Sequence, residues 1–115
     1  MLAKKNRLPA KASTRHFLIK IDASFFILKV GENKEKESRF SFVVSKNLDK
    51  RATARNRIKR QFRRFIEENC YRIRPGFDFL FKVKNQAIGK KTQEIHKQLE
   101  NVLKKEGLIN EKNSS

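Results

Sequence analysis

The sequence predicts an α+β fold, a small two-layer sandwich in which a three- to four-stranded sheet is packed by two main helices. Three observations lead there. Short stretches rich in Phe, Ile and Val, at 17–30, 39–45 and 77–83, alternate or run apolar over strand lengths. Two longer stretches, 53–69 and 92–105, repeat apolar residues at helical spacing. The chain of 115 residues shows no repeat and no linker, which fits one domain over 1–110 and a disordered tail over 111–115.

The elements follow in order. Residues 1–15 are polar, basic and broken by Pro9, and read as an extended arm. "HFLIKIDASFFILKVG" holds two strands: Phe17, Ile19 and Ile21 alternate with Leu18 and Lys20, "SFFILKV" is a continuous apolar run, and Gly31 ends it. "ENKEKES" is a mixed-charge loop that Asn33 and Ser38 frame as a hairpin connection. In "RFSFVVS", Phe40, Phe42 and Val44 point one way and Ser41, Val43 and Ser45 the other, the pattern of a half-buried strand. Thr53 reads as a helix N-cap. Ala54, Ile58, Phe62, Phe65 and Ile66 then form one helical stripe. Pro75 disfavours helix at Arg74, and Gly76 turns the chain. "FDFLFKV" sets Phe77, Phe79, Phe81 and Val83 on one strand face, and the last helix carries Ile95, Leu99, Val102 and Leu103 as its stripe. The closing "INEKNSS" reads as tail. The strands flanking the first helix suit parallel pairing, since a helix is the usual crossover between parallel neighbours.

Ten Phe supply a core despite a modest apolar fraction of 37%. The dominant global property is a net charge of +17, which calls for a polyanionic partner, nucleic acid before membrane. The charge concentrates in "KRATARNRIKRQFRR", residues 50–64, where no acid dilutes it. On a helical wheel Asn56, Arg57, Lys59, Arg60, Arg63 and Arg64 oppose the apolar stripe, with Arg55 on the border. Solvated helix faces usually mix signs; this one does not until Glu67 and Glu68. Arg forks fit phosphate oxygens and stack on bases, so the composition favours phosphate recognition over diffuse attraction. A helix embedded among strands does not resemble a compact DNA-reading motif, whereas a fixed cationic ridge suits the shape and phosphates of RNA.

Catalytic machinery is absent from the pattern. His16 and His96 have no metal-ligand spacing with each other or with Cys70. Asp22, Asp49 and Asp78 are isolated, and there is no Gly-rich phosphate loop or nucleophile motif. Twelve acids against twenty-nine bases leave little material for a two-metal nuclease site. The single cysteine excludes an intramolecular disulfide and fits a reducing compartment. No run approaches the ~18 apolar residues of a membrane span, and "MLAKKNRLP" is not followed by a signal region, so a soluble cytoplasmic protein is expected.

Linked motifs sharpen this reading. Val44-Ser45-Lys46 ends a strand, a short loop follows, and Arg55-Asn56-Arg57-Ile58-Lys59-Arg60 with Arg63 opens the helix. That set resembles the signature of the bacterial ribonuclease P protein subunit, and "KKNRLP", the length, the charge and the element order are similar over nearly the whole chain. The resemblance implies a cofactor to a catalytic RNA that removes 5′ leaders from precursor tRNA. It places the chemistry and its Mg2+ requirement in the ribonucleoprotein, assigns no metal to the protein alone, and expects one protein per RNA with no membrane partner. It also implies a left-handed βαβ crossover around the basic helix. Lys46, Lys50, Arg51, Arg55, Asn56, Arg57, Lys59, Arg60, Arg63 and Arg64 become the expected RNA-binding residues, and Phe17, Phe26, Leu28 and Val43 the expected leader-binding cleft.

The chain departs from the family pattern in places. Ser41 stands where Gly is usual, and Asn47 where a second Lys is usual. The 47–54 loop is one residue long by that standard, and the segment between Leu8 and Phe25 about four residues short. That segment normally supplies a helix with leader-facing aromatics, of which Phe17 is what remains. Leu28 replaces a more usual aromatic, which implies a weaker leader grip. A structural RNA-binding protein of ribosomal type is the alternative: it explains the charge but not the linked motif. A protein-only nuclease would cleave without an RNA subunit.

Overall fold

The computed structural model describes residues 6–8, 17–34, 36–45, 47 and 50–110. Six main elements follow in the expected order: β1 (Phe17–Asp22), β2 (Phe26–Glu32), β3 (Arg39–Val43), α1 (Ala52–Asn69), β4 (Phe77–Val83) and α2 (Thr92–Lys105). They form a four-stranded sheet of order β1-β2-β4-β3, with both helices on one face. β1 and β2 form an antiparallel hairpin, β4 is antiparallel to β2, and β3 is parallel to β4 through the α1 crossover. Residues 6–8 extend the sheet past β3: Arg7 bridges Phe40 in parallel, and the Leu8 amide donates to the Phe40 carbonyl at 2.9 Å.

The helix-facing side of the sheet carries Phe26, Leu28 and Val30 from β2, Phe79, Phe81 and Val83 from β4, and Phe40 from β3, all buried. Against them α1 sets Ile58, Phe62, Phe65 and Ile66, and α2 sets Ile95, Leu99 and Leu103. Phe62 is the central plug. Its ring meets Phe26 edge-on at 5.8 Å and lies 6.3 Å from Phe81 and 6.5 Å from Phe42, so one side chain touches three strands. Phe42 stacks on Phe81 at 5.5 Å and Phe40 on Phe79 at 5.0 Å, which fixes the parallel register of β3 on β4.

Polar ties close the ends. The loop between β2 and β3 is not the hairpin its composition suggests, because β4 lies between the two strands. The loop instead wraps the entry to β4. The Asn33 amide N–H donates to Gly76 O at 2.9 Å and the Ser38 hydroxyl to Arg74 O at 2.6 Å. Asn33 Nδ2 also donates to Asp78 Oδ1 at 2.8 Å, and Arg39 grips the fully buried Asp78 with two bonds of 2.8 and 2.7 Å. Gly76 makes the turn into β4 at φ 85°, a region that disfavours side chains. At the other end buried Arg72 holds Glu100 of α2 with bonds of 3.0 and 2.8 Å and donates to Asn69 and to Asn110 O.

Two further expectations need correction, and one polar side chain of α1 is buried. Thr53 does not cap α1: the helix begins at Ala52, and the N-cap is Arg51, whose side chain makes no capping bond. Gln61 is buried although polar, because its Nε2 donates to Thr92 Oγ1 at 3.0 Å and ties α1 to the start of α2. The tail begins later than "INEKNSS" suggests. Ile109 is buried and pairs with Ile73, and the Asn110 amide donates to Arg72 O at 2.8 Å, so these two residues belong to the packed unit. Residues 111–115 lie outside the described residues.

Phe62→Ala should cost about 3–5 kcal/mol by opening a cavity among three strands. Asp78→Ala should cost about 3 kcal/mol by leaving Arg39 and Asn33 without their acceptor. Urea unfolding followed by far-UV circular dichroism checks both.

Candidate nucleic-acid interface

The α1 ridge is built by opposing tendencies of one sequence. Like charges at i,i+4, such as Arg55/Lys59, Lys59/Arg63 and Arg60/Arg64, oppose the helix by about 1 kcal/mol in sum. Ile58, Phe62, Phe65 and Ile66 each contribute about 1.5–3 kcal/mol by burial. Packing therefore wins, and the cations are carried on a helix that cannot turn away. Asn56, Arg57, Arg60 and Arg64 are exposed; Arg55, Lys59 and Arg63 are half-buried. Lys50 and Arg51 are exposed just ahead of the helix. Lys46 lies outside the described residues.

The ridge has two flanks. Lys59 and Arg63 lean toward β3, where they line a hollow with Arg7, Ser41 and Phe42. Arg57, Arg60 and Arg64 line another with Gln61 and Thr92 at the start of α2. No carboxylate among the described residues lies in ion-pair range of Arg57, Lys59, Arg60 or Arg63. Arg64 has Glu68 one turn on at 3.8 Å, both exposed, a contact worth little in water. The ridge thus keeps its positive charge.

A second surface lies on the sheet face turned away from the helices. Cross-strand partners point to the same side, so the register defines its rows. Val43, Lys82, Ile27 and Asp22 form one row; Ser41, Leu80, Lys29 and Lys20 form the next; Arg39, Asp78, Gly31 and Phe17 form the third. Aliphatic side chains thus alternate with Lys20, Lys29 and Lys82. Of the four residues expected in a leader cleft, Phe17 and Val43 sit on this face. Phe26 and Leu28 do not: both are fully buried on the helix side, where they pack against α1 and β4. The strand pattern slips by one residue, and such a slip exchanges the two faces. Ile27, Lys29, Leu80 and Lys82 take the places the sequence reading missed. Lys29 inside the run "FFILKV" is the signal that marks the wetter face and, with it, Ile27.

Asp78 and Glu100 are held bidentately by Arg39 and Arg72, and Asp22 pairs with Lys84. No three His, Cys, Asp or Glu side chains among the described residues converge as a metal site. His96 accepts a structural role, with Nε2 2.8 Å from Gln61 O and its ring edge-on to Phe65. No helix among the described residues is long and apolar enough to cross a membrane.

Comparison with known proteins addresses the same fold and ridge. The family model described as Ribonuclease P matches residues 3–107. The ribonuclease P protein component of Synechocystis sp. is 38% identical over 80 residues, an alignment spanning 70% of this chain and 64% of that protein. The corresponding component of Fusobacterium nucleatum is 34% identical over 91 residues, spanning 75% of this chain and 80% of that one. Among solved structures, a Staphylococcus aureus RNase P protein mutant with defective mRNA degradation activity superposes with a TM-score of 0.82, 26% identity and 92% of each chain covered. The RNase P protein from Thermotoga maritima, at 23% identity and a TM-score of 0.76, shares the fold over 86% of this chain and 96% of its own. With the sheet order, the cationic crossover helix and a family match over residues 3–107, the chain belongs to the ribonuclease P protein family.

Proposed function

We propose that this chain is the protein subunit of a ribonuclease P, an endoribonuclease whose chemistry is carried by RNA. It docks the catalytic RNA through the α1 ridge and guides the 5′ leader of precursor tRNA across the far face of the sheet. The observation that carries this reading is the ridge itself: Arg57, Lys59, Arg60 and Arg63, with no carboxylate among the described residues in ion-pair range, on a helix fixed from behind by Phe62. Phosphate groups are the natural counter-charge, and Arg57, Arg60 and Arg63 meet them as forks. Lys20, Lys29 and Lys82 give the far face positive charge without base-reading groups, which suits a single strand of variable sequence. Its floor of Ile27, Leu80 and Val43 is aliphatic, with Phe17 as the aromatic. The required Mg2+ is assigned to the RNA in this reading; Asp78, Glu100 and Asp22 are engaged by Arg39, Arg72 and Lys84. Precursor tRNA is the substrate, and one protein serves one RNA.

A structural RNA-binding role of ribosomal type predicts recovery of ribosomal RNA in a pull-down instead of the ribonuclease P RNA. Reconstitution separates the two readings. Adding the protein to its cognate RNA at low magnesium should raise the rate of precursor-tRNA cleavage; an unchanged rate rejects the proposal.

Arg57→Ala and Arg60→Ala should each weaken RNA binding and lower the slope of log affinity against log salt by about one unit per lost phosphate contact. Their urea midpoints should stay near that of the parent chain, because both side chains are exposed. Lys29→Ala combined with Lys82→Ala should reduce affinity for precursor tRNA while leaving affinity for mature tRNA in place, as measured on the reconstituted complex.

A further inference from the structure

Tyr71 belongs to neither the core nor the ridge. It is 74% exposed, the most open of the large apolar side chains among the described residues. It sits in the turn Cys70–Arg72 that continues α1, and the bonds of neighbouring Arg72 to Glu100 and Asn69 fix that turn. α1 ends at Asn69, and Tyr71 follows in the short turn just past its C-terminal end, beyond the last exposed cation, Arg64.

The ring borders a groove of about 480 Å³ between α1 and α2, whose wall includes Phe65, His96 and Lys97. Two carboxylates also line it: Glu100 is held by Arg72 at 2.8 Å, and exposed Glu68 lies 3.8 Å from Arg64. Lys97 adds a cation to the same wall. A polyanionic strand that runs off the C-terminal end of the ridge meets an open aromatic face next, with Lys97 beside it.

We propose that Tyr71 is a stacking platform for an unpaired base of the ribonuclease P RNA at the C-terminal end of the ridge. This rests on the function proposed above. Stacking needs the ring and not the hydroxyl, and it neutralises no phosphate.

Affinity of the full chain for its ribonuclease P RNA, measured across a series of salt concentrations, tests this. Tyr71→Ala should weaken binding by at least about fivefold, the range of a lost base–aromatic stack. Its salt slope should stay unchanged, in contrast to Arg57→Ala. Tyr71→Phe should bind like the parent chain. Since the chain has one tyrosine, labelling with meta-fluorotyrosine gives a single fluorine resonance, which should move upfield in the complex. If Arg57→Ala weakens binding and Tyr71→Ala does not, the platform is wrong and the ridge stands. If neither does, the RNA reading falls with it. A loss in Tyr71→Phe equal to that in Tyr71→Ala, or an unmoved resonance, also overturns the proposal.

Discussion

The insertion of Phe62 among Phe26, Phe42 and Phe81 is the contact on which the molecule depends. A segment carrying Arg55, Arg57, Lys59, Arg60, Arg63 and Arg64 has every electrostatic reason to stay expanded. It is helical because the other side of the same turns seals the sheet. The edge-on approach of Phe62 to Phe26 and the parallel stack of Phe42 on Phe81 fix the helix in position and rotation together. Rotation matters most: a turn of one residue, about 100°, would put Arg63 where Phe62 now sits. The backbone under the charged face is thus held by the core, and a ligand has only the arginine side chains to order.

The same economy governs the acids. Most of the described carboxylates that reach the interior serve as fasteners. Asp78 joins β3, β4 and the loop after β2 through Arg39 and Asn33, and Glu100 joins α2 to the end of α1 through Arg72. These pairs are bidentate and shielded, the geometry in which an ion pair fixes orientation even where its net energy is small. They also take negative charge away from the two cationic surfaces. What remains on the ridge and on the far face of the sheet is mostly positive, and a polyanion meets little competition there.

Much of this was legible in the sequence. Strand and helix limits followed from apolar period and from Pro75 and Gly76, and the parallel pairing of β3 with β4 followed from the intervening helix. The solvent side of α1 followed from the wheel, since Arg57, Arg60 and Arg64 are exposed as their spacing requires. The sheet order was not legible, because β4 enters between β2 and β3 through contacts distant in sequence. The facing of β2 was misread for a related reason. "FFILKV" is apolar on both sides except at Lys29, the one residue that marks the wetter face, and pairing with β4 fixes the facing. Thr53 looked like a cap but falls inside the first turn. Gln61 lies on the buried side of α1 and is satisfied by Thr92, a partner supplied by the second helix.

The position of β4 also bears on how the chain emerges during synthesis. Residues 39–43 and the whole cationic helix leave the ribosome before the strand that backs them, and β3 and the β1–β2 hairpin share no ladder that could hold them together in the meantime. Until residue 83 is out, the arginines ride on a segment with no seat for Phe62. The nascent protein is then a loose polycation beside a large excess of ribosomal RNA. Local contacts form first and long-range strand pairing last. If the ridge docks the RNA proposed for it, its shape is complete only when the central strand slots in, and the finished geometry adds to charge in separating that RNA from the crowd at the exit tunnel.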